Sequence, residues 1–205
     1  MAFLNGLFLS LSLIVAISAQ NAFILRQGVL KNHVFAICLL CFASDALLLF
    51  LGIYGVGEWL AASKTASLAI ASLGIAFVLY YAFLSLKSAL RGASGEILKA
   101  QKALSLKQAL LFCLGVTYLN PQVYLDTIFV VGAAALPYAG GERAMFALGA
   151  VSASFGWFFT LGYCAKALSS RLNSPRAMML LDIFIALVMC FIAYVLFKFI
   201  LSNWS

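Results

Sequence analysis

Apolar residues gather into six runs, at about 2–25, 34–56, 65–86, 107–135, 145–167 and 178–201. Each is near the ~20 residues a helix needs to cross a bilayer. The polar stretches between them are short, the longest running from 87 to 107. The pattern predicts an all-α integral membrane protein, one transmembrane domain over residues 1–205 with six transmembrane helices. The fourth run does not read as a simple span. At its centre stands Thr117-Tyr118-Leu119-Asn120-Pro121-Gln122-Val123-Tyr124-Leu125-Asp126-Thr127. Proline lacks the N–H and clashes with the preceding turn, so an unbroken helix through Pro121 is costly. Asn120 before it reads as an N-cap, with Pro121 the first helical position. One helix therefore stops near Leu119 and another starts at Asn120, its positive end facing the interior. Such breaks are tolerated at membrane depth only where protein or a wet cavity satisfies the freed groups.

The two halves of the chain, about 1–90 and 106–205, resemble each other. Ala19-Gln20 matches Pro121-Gln122 at an offset of 102, Ser44 and Gly52 match Ser154 and Gly162 at 110, and Lys87 matches Lys198 at 111. Three helices per half is an odd number, so the halves enter the membrane in opposite directions. Inverted repeats of this kind place a transporter's site near the midplane, between the repeats. The match also places a second break in the first span, where Ser18 can cap the helix that carries Gln20 and Asn21. Helices 1 and 4 are both expected to be broken, with two N-termini facing each other, a pair suited to a carboxylate.

Composition agrees with the apolar pattern. The chain is 65% hydrophobic and 9% charged, with mean hydropathy +1.10, against about 25% charged residues in soluble domains. The net charge of +7 would point to nucleic acid in a soluble protein. Here 10 of the 13 Lys and Arg fall in loops one, three and five, whereas Lys64, Arg143 and Lys198 lie on the opposite side. They are orientation signals and headgroup contacts, and no nucleic-acid partner is expected. The positive-inside rule puts loops one, three and five in the cytoplasm and both termini outside. No basic residue precedes the first span, which reads as a retained helix rather than a cleaved signal.

Two acids lie well inside the runs, Asp45 at the centre of the second and Asp126 in the fourth. Glu58, Glu96 and Glu142 fall in loops or at their edges, and Asp182, near the start of the sixth run, is expected to pair with Arg176. No Lys or Arg lies in the interior of a run, so Asp45 and Asp126 have no protein cation at their depth. An unpaired buried carboxylate takes up a proton or a counter-ion. The missing partner comes from outside: a proton, Na⁺ or a cationic substrate. Donors for a carboxylate beside acceptors for a cation describe an amino acid, preferably a basic one.

Gln20-Asn21-Ala22-Phe23 with Arg26-Gln27-Gly28, then Ser44-Asp45, then Tyr118-Leu119-Asn120-Pro121 with Tyr124-Leu125-Asp126, resembles the lysine/arginine exporter (LysE) family, near its arginine-exporter branch. The likeness spans essentially the whole chain, through Ala147-Leu148-Gly149 and Ser152-Ala153-Ser154 before Trp157. It implies export of arginine or lysine across the bacterial cytoplasmic membrane, driven by the proton gradient or the potential. It also implies that Asp45 and Asp126 are the family's acidic positions. The candidate site then comprises these two acids with Ser44, the break residues Ser18, Gln20, Asn21, Asn120 and Pro121, and the aromatic residues Tyr124 and Trp157, the latter across from Asp45. Ser18-Ala19 departs from the family's Gly-Pro, so a softer first break is expected.

Two other classes compete. Cys38-Leu39-Leu40-Cys41 is a C-x-x-C pair, as in membrane thiol–disulfide carriers, but no nearby base or cation would activate a thiol there. An inorganic cation transporter would use the two carboxylates alone. Two cysteines fall short of the four ligands usual for zinc. Neither a metal, a cofactor nor enzymatic chemistry is expected; the partners are the bilayer, the substrate and protons. The sequence is also compatible with a homo-oligomer.

Overall fold

The computed structural model describes residues 1–16, 18–55, 64–93, 104–172 and 175–204. Glu58, Glu96, Lys99 and Lys102 lie outside them. Every regular element among the described residues is helical.

The first apolar run is two helices, α1 (Ala2–Ile14) and α2 (Ala19–Val29). Their axes bend by 79°, so the first break is sharp even without Gly-Pro. Ser18, in extended backbone, caps α2, its hydroxyl accepting from the Asn21 amide at 3.1 Å. α3 (Val34–Ile53) follows a tight connection in which Lys31 and His33 have left-handed backbone. α4 spans Lys64–Ala93, longer than the run at 65–86.

α5 (Leu106–Tyr118) opens on a capping box, Ser105 and Gln108 each bonding the other's backbone N–H, which satisfies two orphan donors reciprocally. It ends at Leu119. The chain restarts as α6 (Pro121–Tyr124), widens into a π-helical turn (Leu125–Val130), and resumes as α7 (Val131–Ala135). Asp126 therefore sits in a π turn, where a regular helix is expected from the sequence. Such turns are rare and recur at functional sites. α8 (Gly140–Ala167), the short α9 (Ser169–Leu172) and α10 (Pro175–Trp204) complete the described chain. α3 and α8 are each long and apolar enough to cross a bilayer, and α1 with α2 make a third span if the bent pair is counted as one.

α3 and α8 run antiparallel through the middle of the molecule. Phe35 meets Phe159, Phe42 meets Phe155, and the Cys38 thiol points to the Phe158 carbonyl at 3.3 Å. Around them the helices meet through glycine. Gly6 and Gly149 seat α1 on α8 backbone to backbone, against the carbonyls of Phe146 and Phe3. A β-carbon on Gly52 would stand 2.6 Å from the Thr127 carbonyl, and one on Gly28 2.8 Å from the Gly162 carbonyl. In lipid, which is as apolar as leucine, close backbone approach of this kind drives helix association. Phe23, Tyr81 and Phe112 form the aromatic centre of the core where α2, α4 and α5 converge.

Arg26 is not a loop residue but lies in the last turn of α2, where a cation complements the helix dipole. It pairs with Asp182 of α10 at 3.3 Å, and the Asp182 side chain is fully buried. This corrects the expected Asp182–Arg176 pair. Six residues on a helix is about 240° of rotation, and Arg176 is exposed.

Candidate functional site: a carboxylate cavity between two helix breaks

At each break a side chain returns to cover the carbonyls that the interruption frees. The Asn21 amide donates to Ile14 O at 2.7 Å and Ala16 O at 2.9 Å, closing the end of α1. Its oxygen accepts from Trp157 Nε1 at 3.1 Å. At the second break the Tyr124 hydroxyl donates to Tyr118 O at 2.8 Å, closing α5. The Asn120 side chain accepts from the Gln122 amide at 3.1 Å, and its carbonyl from the Val123 amide at 3.2 Å. Pro121 has no N–H. The cap therefore uses the first donors at this end, and few are left for a ligand.

One cavity joins the two breaks. Its volume of about 70 Å³ holds several waters, since one needs ~10–15 Å³ on that measure. Ser18, Gln20 and Asn21 reach it from the first break, and Asn120 and Gln122 from the second. Asp45 and Asp126 both line it, with Ser10 of α1 and Thr127 of the π turn. Residues 81 positions apart thus share one chamber. Among the described residues no lysine or arginine comes within ion-pair distance of either acid.

The two acids differ. Asp45 is 5% exposed, and the fully buried Ser154 hydroxyl of α8 lies beside it. Asp126 is half-buried and accepts from Gln122 Nε2 at 2.8 Å. Two buried polar atoms lining the chamber, Ser10 Oγ and Gln20 Nε2, have no hydrogen-bond partner among the described residues. Buried polar atoms are normally bonded, so this set is fit to meet water or a ligand.

Other expected site residues stand apart. Trp157 lines a second, apolar cavity behind Asn21 with Leu161 and Phe184, not the wall across from Asp45. Tyr124 serves the break through its hydroxyl. Ser44 is buried but does not line the chamber. Cys38 and Cys41 do not face each other: Cys41 Sγ is 3.1 Å from Cys113 Sγ, and Cys38 turns to α8. Sequence reasoning missed Ser10, Thr127 and Ser154 as site residues. Ser154 left a trace as the repeat partner of Ser44, and Thr127 as the end of the central Asn-Pro stretch.

A helical membrane protein whose paired, cation-free carboxylates meet in a chamber between two helix breaks has the apparatus of a translocator for small charged solutes. The chain belongs to the LysE type translocator family, whose profile matches residues 11–198. It is 36% identical over 195 residues to the arginine exporter protein ArgO of Pectobacterium carotovorum, covering 93% of this chain and 94% of that one. It is 38% identical over 200 residues to the arginine exporter protein ArgO of Klebsiella pneumoniae, covering 96% and 93%. A putative amino-acid transporter, YggA, of Aeromonas salmonicida is 36% identical over 186 residues, covering 91% and 90%. No solved structure matches. The protein is a multi-pass membrane transporter, not an enzyme.

Proposed function

We propose that this protein exports arginine from the cytoplasm across the bacterial inner membrane, with lysine as a second substrate, in exchange for protons. The observation that carries the reading is the pair Asp45 and Asp126 in one chamber, with no lysine or arginine among the described residues paired to either. A basic amino acid supplies the missing positive charge. Its carboxylate is held by donors on the first-break side, where the buried Gln20 amide nitrogen has no hydrogen-bond partner among the described residues and α2 presents its positive end. Asn120 shapes the opposite wall.

Moving a cation out against an inside-negative potential costs about 2.3 kcal/mol per charge per 100 mV. One proton inward per cation outward cancels that electrical term. Carboxylates that hold substrate or proton, but not both, enforce the exchange.

The architecture proposed with this function is six spans in two inverted three-helix repeats, with loops one, three and five in the cytoplasm. Support comes from the equivalent helices α3 and α8, which run antiparallel, and from two reciprocal seams. Gly52 of α3 packs on the π turn and α7; the carbonyl of its repeat mate Gly162 of α8 meets Gly28 of α2, while a β-carbon on Gly162 would face Cys38 and Val34 of α3.

The test is transport of labelled arginine in vesicles with an imposed pH gradient and potential. Asp45→Asn and Asp126→Asn keep shape and remove charge, and each is expected to abolish net export while the protein still inserts. Export at wild-type rates by both variants would overturn the carboxylate mechanism.

A further inference from the structure

Asp45 and Asp126 stand in surroundings different enough to separate their tasks. Asp45 is 5% exposed, packed where α3 crosses α8. A guanidinium binds a carboxylate through a planar fork of donors and needs an open edge to reach both oxygens. Asp45 has no such edge; the ligand that fits there is one without volume. Asp126 is more open, on a π turn, and Gln122 Nε2 bonds its Oδ1 at 2.8 Å. That bond holds the carboxyl in place through Oδ1 and does not use Oδ2, and the residue lines the chamber.

Ser154 completes the deeper position. Its hydroxyl is fully buried, lies beside the Asp45 carboxyl and has no other partner among the described residues. Mid-helix hydroxyls commonly bond the carbonyl one turn back, as Ser152 does to Leu148 O at 2.7 Å. Ser154 does not. The charged group that acts on Asp45 is Asp126. From α1, the first break and α2 the chamber receives Ser10, Ser18, Gln20 and Asn21, all uncharged, and the Ser154 hydroxyl of α8 lies beside Asp45.

We propose that Asp45 is the proton-carrying carboxyl, positioned by Ser154, and that Asp126 takes the substrate's cationic group. The assignment rests on the exporter reading above and divides the work it leaves shared. Exchange follows from the repulsion between two nearby carboxylates. A cation on Asp126 relieves that repulsion and releases the proton from Asp45. A proton on Asp45 removes the need for a cation at Asp126. This linkage is reciprocal by thermodynamic necessity.

The experiment compares two assays on full-length protein in proteoliposomes. One is counterflow of labelled against unlabelled arginine with no pH gradient. The other is net uptake driven by a pH gradient. Asp45→Asn is expected to lose net transport at least tenfold while retaining counterflow within a few-fold of wild type. Asp126→Asn is expected to lose both. Ser154→Ala, which removes a donor to the ionised carboxylate, is expected to move the pH of half-maximal net transport upward, and Ser154→Thr to restore it. Counterflow lost in folded Asp45→Asn, or kept in Asp126→Asn, overturns the division while leaving a shared-carboxylate exporter standing. Wild-type net transport in both variants overturns the exporter mechanism itself. Should Asp45→Asn fail to insert, the Asp126→Asn counterflow and the Ser154 pH profiles decide.

Discussion

Gly52 shows how a residue without a side chain positions one that has chemistry. It lets the π turn carrying Asp126 lie directly on α3, about two turns from Asp45. A β-carbon there would meet backbone at 2.6 Å on Thr127 and 2.7 Å on Ile128, atoms that no rotamer change can move aside. Gly52→Ala is expected to cost about 1–3 kcal/mol, the range for overpacking, and to lower transport with it. Gly156, in the middle of α8, has nothing within 4 Å. Gly156→Ala is expected to be neutral or slightly stabilising, by up to ~1 kcal/mol from helix propensity. Thermal unfolding in detergent, with transport assayed alongside, checks both. At this scale the acids were legible because a carboxylate in an apolar run has no bland role. Gln20 and Asn120 were legible because they stand at a break. Ser154 and Ser10 were not. A lone hydroxyl in a membrane helix reads as packing, and only the crossing of α3 with α8 brings Ser154 to Asp45. Asn21 and Tyr124 were found, but in another role, since a sequence does not say which freed carbonyl a side chain will cover.

Among the elements, α2 carries most of the organisation. It re-enters at 79° to α1, buries Phe23, Ile24 and Val29 to 1% exposure, and carries Arg26 in its last turn. The Arg26–Asp182 pair fastens it to α10, with Tyr81 of α4 against the pair. Removing one partner of a buried ion pair leaves an uncompensated charge, at about 3–5 kcal/mol. Arg26→Gln and Asp182→Asn are each expected to destabilise by that order in a thermal-shift measurement. A double replacement by apolar residues of similar volume, Arg26→Met with Asp182→Leu, is expected to recover most of the loss. If the double variant is as unstable as the sum of the singles, the two charges do not act as a pair. The second break was legible from Asn-Pro, and the first only through its likeness to the second. The π turn was not legible: its extra residue per turn leaves no mark in an apolar sequence. The Arg26–Asp182 pair was missed because α2 continues past the point where hydropathy ends the first span, which made Arg26 look like a loop residue.

For the whole molecule, ten of thirteen basic residues on one side of the predicted spans give a direct test of orientation. In a background lacking Cys164 and Cys190, a cysteine at Lys99 is expected to react with a membrane-impermeant thiol reagent only after cells are opened. One at Arg143 is expected to react in intact cells. Reaction at position 99 from outside would reverse the orientation and, with it, the side on which substrate enters. The seams at Gly6, Gly28, Gly52 and Gly149 bear on how such a molecule moves. Where side chains interdigitate, a helix cannot travel without unlocking its neighbour tooth by tooth. Where a carbonyl rests on a bare α-carbon, nothing meshes. These contacts are bearings rather than gears, and helices seated on them can slide as stiff rods, trading one face of the chamber for the other while the side chains keep their rotamers.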